Sequence, residues 1–341
     1  MDDAGKSSLA KNPSATAALA ERLGLSRWAV SRALNGRPGV SAETVARVRA
    51  EAARGGYAPS ELARGLRAGG TALAGICLPD PETFYLSGRL GLLAGRLGTA
   101  GCGPVFQIAD GTEESEARAM GFFAGIGCRA VGVIAARLGA GHPAVSGLLA
   151  RGVRVVHIDP VGERLGVPGV TTDRALAMRR IVQHLHKTGH RAACLAGIDA
   201  EDAYGRQRLR GLKAGAAACG WKRAPAPLPE VAAPDEFAEG AQLADHYLTG
   251  KYPRAVIARN DRVAFGFARR MRAHGRKMPG DYVVAGYDAT PLAGLFEPPI
   301  ATVDPGHEQL VEVAVGLLSA KITPSGIVKI APRLVVNSEE S

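Results

Sequence analysis

Aromatic residues make up only 5% of this 341-residue chain, and its five cysteines stand apart at Cys77, Cys102, Cys128, Cys194 and Cys219. Their odd number and the lack of any C-x-x-C pair argue against a metal or redox site, and buried reduced thiols are expected. No apolar run approaches the length that spans a bilayer, and the polar start Met1-Asp2-Asp3-Ala4-Gly5-Lys6-Ser7-Ser8 does not read as a signal peptide. A cytoplasmic location and no membrane partner are therefore expected. Signatures of catalysis are missing too. There is no G-x-G-x-x-G behind a strand, no G-x-S-x-G elbow and no H-E-x-x-H. Gly5-Lys6-Ser7 mimics the end of a phosphate-binding loop but lacks the earlier glycine and the preceding strand. His184 and His186 stand two apart on a helical pattern and cannot face one metal, and His190 reads as a helix-terminus residue. No enzyme, cofactor or metal is expected. An enzyme using an unfamiliar site stays open as an alternative.

What the chain does have is apolar substance and positive charge. Its hydrophobic content of 46% is that of a globular protein, and its length suits two or three structural units. The formal net charge is +10, and residues 1–70 carry half of that excess in about a fifth of the chain. A polyanion bound at the N-terminal end, with salt-sensitive affinity, follows from that asymmetry.

Residues 23–37 hold the most informative pattern. Ala20, Leu23, Leu25, Val30 and Leu34 are apolar at helical spacing on either side of Gly24. Gly24 suits the left-handed backbone that ends a first helix, Ser26 is placed to cap a second, and Asn35-Gly36 to stop it. Arg27, Trp28, Ser31 and Arg32 are left facing outward. Two arginines and an indole on the exposed face of a short helix suit a DNA major groove, where arginine makes two hydrogen bonds to a guanine edge. A basic helical hairpin with a solvated face is the plainer alternative. An amphipathic segment, Glu43 to Arg54, follows a Val40-Ser41 start, with Val45, Val48 and Ala52 as its inner stripe. Pro59 then blocks continuation, and Ser60 is placed to cap a very short helix carrying Leu62, Ala63 and Leu66 on one face. A helix of about seven residues is not stable alone in water. It would form where two copies meet over a minor groove, with Leu66 wedged between base pairs. A flexible linker is the alternative, which Gly65, Gly69 and Gly70 favour without DNA.

Three blocks, Gly24-Leu25-Ser26 to Val30-Ser31-Arg32-Ala33-Leu34-Asn35-Gly36, Val40-Ser41 to Val48, and Tyr57-x-Pro59 to Leu62-Ala63-Arg64-x-Leu66-Arg67, agree in order and spacing with one family. The chain resembles the lactose-repressor/galactose-repressor family of bacterial transcription regulators. The resemblance implies that Ser26, Arg27, Trp28, Ser31, Arg32, Asn35, Arg37, Leu62, Ala63, Arg64 and Leu66 meet DNA. It also implies a homodimer on a near-palindromic double-stranded operator. The chain departs from the family's pattern at the start of helix 1, and at Ser60 and Gly65.

Beyond Thr71, short apolar runs alternate with helical patterns. Strands are expected at Leu73–Leu78, Pro104–Ile108, Val131–Ala135, Val153–Ile158, Ala192–Ala196, Ala255–Ala258, Tyr282–Gly286 and Ile300–Val303. Helices are expected at Arg174–Lys187, Ala203–Cys219, Phe237–Leu248, Arg262–His274 and Glu308–Ala320. Non-alternating apolar strands separated by helices imply parallel sheets covered on both faces. Two doubly wound subdomains with a ligand cleft at the strands' carboxyl ends follow, split near 169–172. A return crossing near 302–305 would pack the 306–320 helix on the first half. Ala224 to Pro229 reads as a surface loop. This part resembles the family's periplasmic-binding-protein-like effector domain, in pieces such as Lys187-Thr188-Gly189-His190-Arg191 and Gly286-Tyr287-Asp288. The resemblance places a small-molecule effector, a sugar or related metabolite, at Asp173, Arg208, Asn260 and Asp288. Asp80, Phe84 and Tyr85 join this set near the first strand's end, the two rings serving either sugar stacking or core closure. Each polar candidate has a plainer reading as well: Asp173 and Asn260 as helix caps, Arg208 as an ion-pair residue, Asp288 as a turn residue. Arg174, Ala289 and Asp304-Pro305 depart from the family's commonest cleft.

The expected organisation is thus a disordered tail (1–13), an all-α helix-turn-helix headpiece (14–59), a hinge helix and linker (60–70), and a bilobed α/β effector-binding and dimerisation domain (71–341). A transport receptor of the same bilobed build is the other alternative, but it would need an export signal and no headpiece.

Overall fold

Gly24 adopts φ +63°, the left-handed turn that lets two helices meet within three residues. The computed structural model describes residues 15–34, 37–55, 73–79, 84–162, 165–322 and 326–336. Helix α1 (Ala15–Leu23) closes with Leu25 N–H donating to the Ala20 carbonyl at 3.0 Å. Ser26 Oγ then accepts the Ala29 N–H at 3.1 Å and starts α2 (Arg27–Leu34). Ser41 caps α3 (Ala42–Arg54) by accepting the Thr44 N–H at 3.2 Å. Leu19, Ala20, Val30, Ala33, Val48 and Ala52 form the buried centre of the three helices. The chain divides into two compact units, 1–71 and 72–341.

The second unit holds two six-stranded sheets. The first is built from β1 (Leu73–Leu78), α4 (Phe84–Thr99), β2 (Gly103–Ile108), α5 (Glu113–Gly125), β3 (Ala130–Ile134), α6 (Pro143–Ala150), β4 (Arg154–Ile158) and β5 (Gly169–Thr172). The second uses α7 (Arg174–Lys187), β6 (Ala193–Ala196), α8 (Ala203–Ala218), β7 (Ala226–Pro227), α9 (Glu236–Thr249), β8 (Ala255–Ala258), α10 (Asp261–Ala273), β9 (Val283–Ala285) and β10 (Ala301–Asp304). Then α11 (His307–Leu318) returns to the first half, where Leu310, Val311 and Ala314 pack with Ile76, Ile134 and Ile158. Finally β11 (Ile327–Ile330) adds to β5 in parallel, and β12 (Arg333–Val336) pairs antiparallel with β10. The strand orders are β11-β5-β4-β3-β1-β2 and β12-β10-β9-β8-β6-β7.

The return at 304–307 agrees with the expectation, and the chain then crosses once more, between β11 and β12. Four strands fell outside the expected set. β5 is four residues long and opens on Gly169. β7, β11 and β12 are edge strands, whose exposed positions dilute the apolar run that marks a central strand. The Pro-rich stretch 224–229 is not only a loop: Ala226 and Pro227 pair with Cys194 and Leu195 as β7, at the edge position a residue without an N–H tolerates. The cysteines are free. Burial pushes the thiols of Cys77, Cys128 and Cys194 up to about 12, 11 and 12, whereas Cys102 and Cys219 are part-exposed rather than buried as expected.

Gly211 decides how the cleft-facing helices sit. A Cβ there would lie 2.2 Å from the Ala175 carbonyl oxygen, so only glycine lets α8 lie against α7 at this spacing. Gly211→Ala is expected to destabilise the unit by about 1–3 kcal/mol, read as a lower urea midpoint. An unchanged midpoint would contradict this packing.

His157, in β4, is fully buried, and neither ring nitrogen has a hydrogen-bond partner among the described residues. Burial pulls its imidazole down to about 4, while an exposed histidine titrates near 6.5. The unfolded chain therefore takes up this proton first. Stability is complete above about pH 6.5 and is lost as pH falls toward 4, by roughly 3 kcal/mol in all. Melting temperatures measured between about pH 7 and pH 5 should fall in the wild type and fall less in His157→Leu. The remaining slope combines His307, which burial also lowers to about 4, with His184 and His190, which burial lowers too, and with the raised carboxyl of Asp288, which works in the opposite direction. Parallel curves for the two proteins would refute the assignment.

Candidate functional site

Two surfaces carry the candidate residues. On α2, Arg27 and Trp28 are exposed, and 59% of Trp28 is accessible. Ser26 spends its hydroxyl on the cap. Ser31 and Arg32, expected to face outward, are half-buried. The reason for Arg32 is local: its guanidinium lies 4.8 Å over the Trp28 ring, and its Nε donates to the Pro38 carbonyl at 2.6 Å. The arginine is thus parked across the indole, closing the turn after α2. Arg37 is exposed, and its N–H donates to the Arg32 carbonyl at 3.0 Å. Asn35, Leu62, Ala63, Arg64 and Leu66 lie outside the described residues, as do residues 1–13 and the hinge.

In the second unit, a cavity of about 320 Å³ opens where the carboxyl ends of both sheets meet. That is where ligands of doubly wound sheets sit. Three of its wall residues, Ala135, Asp159 and Asp288, follow strand ends and hold positive φ of 53°, 56° and 99°. Non-glycine residues adopt such angles at an energetic cost, and they collect at binding sites.

Arg208, Asn260 and Asp288 are brought together on this wall. Asp173 is not. Its carboxylate accepts the Leu176 N–H at 2.8 Å and caps α7, leaving the next residue, Arg174, to enter the cavity. Asp80 lies outside the described residues. Phe84 and Tyr85 open α4, and their side chains lie outside the described set.

Sequence reasoning missed the residues that close the cavity. Arg174 Nη2 donates to Asp159 Oδ2 at 2.6 Å, with Arg89 Nη1 at 3.6 Å from the same oxygen. Thr171 Oγ1 donates to Asp159 Oδ1 at 2.7 Å, and the Tyr204 hydroxyl donates to the Asp159 carbonyl at 2.6 Å. Arg174 stacks 4.1 Å over the Tyr204 ring. Asp159 ends a strand of the first sheet, while Arg174 and Tyr204 start helices of the second, so the cluster clasps the two halves. Burial alone would raise the Asp159 carboxyl, but Arg174 and Arg89 hold it well below the usual carboxylate range. The sequence signals for this cluster were a strand-end aspartate and Arg174, a departure from the family's commonest cleft.

Opposite it, Asn260 Oδ1 caps α10 by accepting the Val263 N–H at 3.0 Å, and its Nδ2 donates to Glu236 Oε1 at 2.6 Å. Arg259 pairs with Glu239 at 2.5 Å and Glu236 at 3.4 Å, and Arg262 with Glu236 at 3.4 Å. Asp261 is fully buried and accepts from Thr302, from the Thr290 N–H and from the Thr290 hydroxyl, which anchors the β9 loop. Asp288 faces the cavity beside Arg208. Burial pushes its carboxyl up to about 7, opposed by Arg208 and reinforced by Asp261. Carboxylate, guanidinium and amide on one wall can donate to and accept from the hydroxyls of a polyol.

Comparison with known proteins agrees with this architecture. Residues 182–338 match the model of a periplasmic binding protein-like domain. The HTH-type transcriptional regulator reg1 of Streptomyces lividans is 29% identical over 327 residues, covering 93% of this chain and 94% of that regulator. The solved structure of the transcriptional regulator CelR in complex with cellobiose shares the fold at a TM-score of 0.61 and 23% identity, over 93% of this chain and 97% of the other. The lac repressor dimer bound to operator and an anti-inducer does so at a TM-score of 0.77 and 20% identity, over 93% and 96%. With a helical headpiece unit and a bilobed core behind it, the matches support the resemblance of this chain to the lactose-repressor/galactose-repressor family of transcriptional regulators.

Proposed function

We propose that this chain is a sequence-specific DNA-binding transcription regulator, a repressor, whose operator affinity is set by a sugar-type effector in the 320 Å³ cavity. It acts as a homodimer in the cytoplasm on a near-palindromic operator, and performs no catalysis. No helix among the described residues is long and apolar enough to cross a membrane. The observation that carries the reading is the pairing, in one chain, of an exposed Arg27-Trp28 helix face with a polar cavity between two sheets. Arg27 and Trp28 meet base edges. Arg32 leaves Trp28 to take a groove contact, and Leu66 wedges the minor groove. Arg208, Asn260 and Asp288 hold the effector, with Arg89, Arg174 and Tyr204 completing its wall. Effector binding changes how the two halves close, which shifts operator affinity by a coupling of about 1–3 kcal/mol.

The test is fluorescence anisotropy of genomic fragments against random competitor, with and without sugars. One or a few fragments should hold at salt that releases random DNA, and a sugar should shift that affinity. Arg27→Ala and Trp28→Ala should each weaken the specific complex by about 1–3 kcal/mol and leave random binding less affected. The chain has two tryptophans, and Trp221 is buried with its N–H on His186 Nδ1 at 3.2 Å. In a Trp221→Phe background the emission of Trp28 should therefore change on operator binding. Equal affinity for all duplexes, with silent Trp28 emission, would overturn the proposal.

A further inference from the structure

The charges lining the cavity are unevenly matched. Arg259 and Arg262 are answered by Glu236 and Glu239. Arg89 and Arg174 both lie against the carboxylate of Asp159, and Arg89 also meets His307 Nδ1 at 3.0 Å. Arg208 stands apart: among the described residues it forms no ion pair and no hydrogen bond, and its Nε is buried without a partner. Its guanidinium rests 4.6 Å over the ring of Tyr287, whose own hydroxyl is buried and unpartnered. A guanidinium keeps its charge even when buried, and a desolvated charge without an acceptor is costly. Such a group is retained where a ligand supplies the acceptor. One ring face of each described cavity tyrosine is already covered, Tyr204 by Arg174 and Tyr287 by Arg208, which removes much of the stacking surface a neutral sugar would use.

We infer that the ligand of this cavity is a polyhydroxylated molecule bearing an anionic group, a carboxylate or a phosphate monoester, whose oxygens engage Arg208 through paired N–H donors. The inference rests on the reading of this cavity as the effector site and narrows the effector's class. Planar guanidinium matches both anions in a two-pronged contact. The Tyr287 hydroxyl is another buried donor on that wall without a partner among the described residues, while Asp288 remains for hydroxyls. A cavity of about 320 Å³ suits a ligand of monosaccharide size.

Isothermal titration of the full-length protein with matched series tests this at constant ionic strength. Each series contains a neutral sugar (glucose, galactose or ribose), the corresponding aldonic or uronic acid, and the phosphate monoester. An anionic member should bind at least about ten-fold tighter than its neutral parent, and the acid and phosphate arms separate the two sources. Arg208→Gln should erase that preference, and Arg208→Lys should keep part of it. Melting curves would confirm that both variants fold. A neutral parent that binds as well as its anions, or an anion preference that survives in Arg208→Gln, would overturn the inference. If a neutral sugar also shifts operator affinity, the effector reading stands without it. If no member of any series binds at millimolar concentration, both fail.

Discussion

Arg174→Ala is expected to remove about 3–5 kcal/mol of stability from the 72–341 unit and to loosen the contact between its halves. Asp159 is 4% exposed and Arg174 is 6% exposed, so neither can fall back on water. Without Arg174, the carboxylate keeps Arg89 at 3.6 Å and Thr171, and Tyr204 loses the cation over its ring. The loss is large because one charge stays buried, more than because the pair itself is strong. Asp159→Asn isolates the charge from the backbone: asparagine accepts φ +56° at least as well as aspartate, so a loss there measures the carboxylate charge removed from beside Arg174 and Arg89. The double variant Arg174→Ala/Asp159→Ala should be less damaged than the sum of its singles, by more than about 1 kcal/mol. Urea melts give these energies, and small-angle scattering reports whether the halves part. Because Asp159 is held below the normal carboxylate range, its contribution is complete above about pH 4 and lost only on further acidification. Additive single and double variants would refute the clasp.

The same cluster explains what could and could not be read from the chain. Runs such as Leu73–Leu78 and Ala255–Ala258 are apolar at every position because central parallel strands are covered on both faces, and they were legible for that reason. The strands β11 and β12 sit at sheet edges and carry Lys329 and Arg333, so their sequences do not separate from loop. The α1–α2 turn was legible because Gly24 and Ser26 each do one local job within a few residues. The cavity is different. Arg89, Asp159, Arg174 and Tyr204 are scattered along the chain and acquire meaning only once β4, α4, α7 and α8 converge. Asp173 and Arg174 show how narrow the margin is. Both open α7, yet the first turns to the helix's own N–H groups and the second into the cavity. Spacing alone does not distinguish them. Arg32 was legible as a basic residue on α2 but not as one parked on Trp28, because Pro38 reaches it only through the turn that follows.

Asp288→Ala is expected to abolish the effector response while leaving operator affinity intact. A carboxylate that holds ligand hydroxyls contributes about 1.5–3 kcal/mol per hydrogen bond, so losing it should weaken the effector by about ten- to hundred-fold. Alanine at φ +99° also strains the backbone, and Asp288→Asn is therefore the cleaner partner variant, since asparagine tolerates left-handed angles best. The two differ in what they test. The carboxyl of Asp288 is raised to about 7 by burial, with Arg208 and Arg89 opposing and Asp261 and Glu236 adding to the shift. In the unfolded chain it titrates near 3.9, so its ionisation opposes folding above about pH 4, increasingly until about pH 7. Asp288→Asn should accordingly melt higher than the wild type at about pH 8, and the gain should fade as pH falls from 7 toward 4. For an anionic ligand on Arg208, wild-type affinity should rise as pH falls through 7, because protonation removes a competing charge beside the guanidinium, and the asparagine variant should show no such rise. Titrations with a sugar acid, which stays ionised throughout, keep the ligand's own protonation out of the result. If wild type and Asp288→Asn respond to pH alike, Asp288 is not the group that senses the ligand's charge.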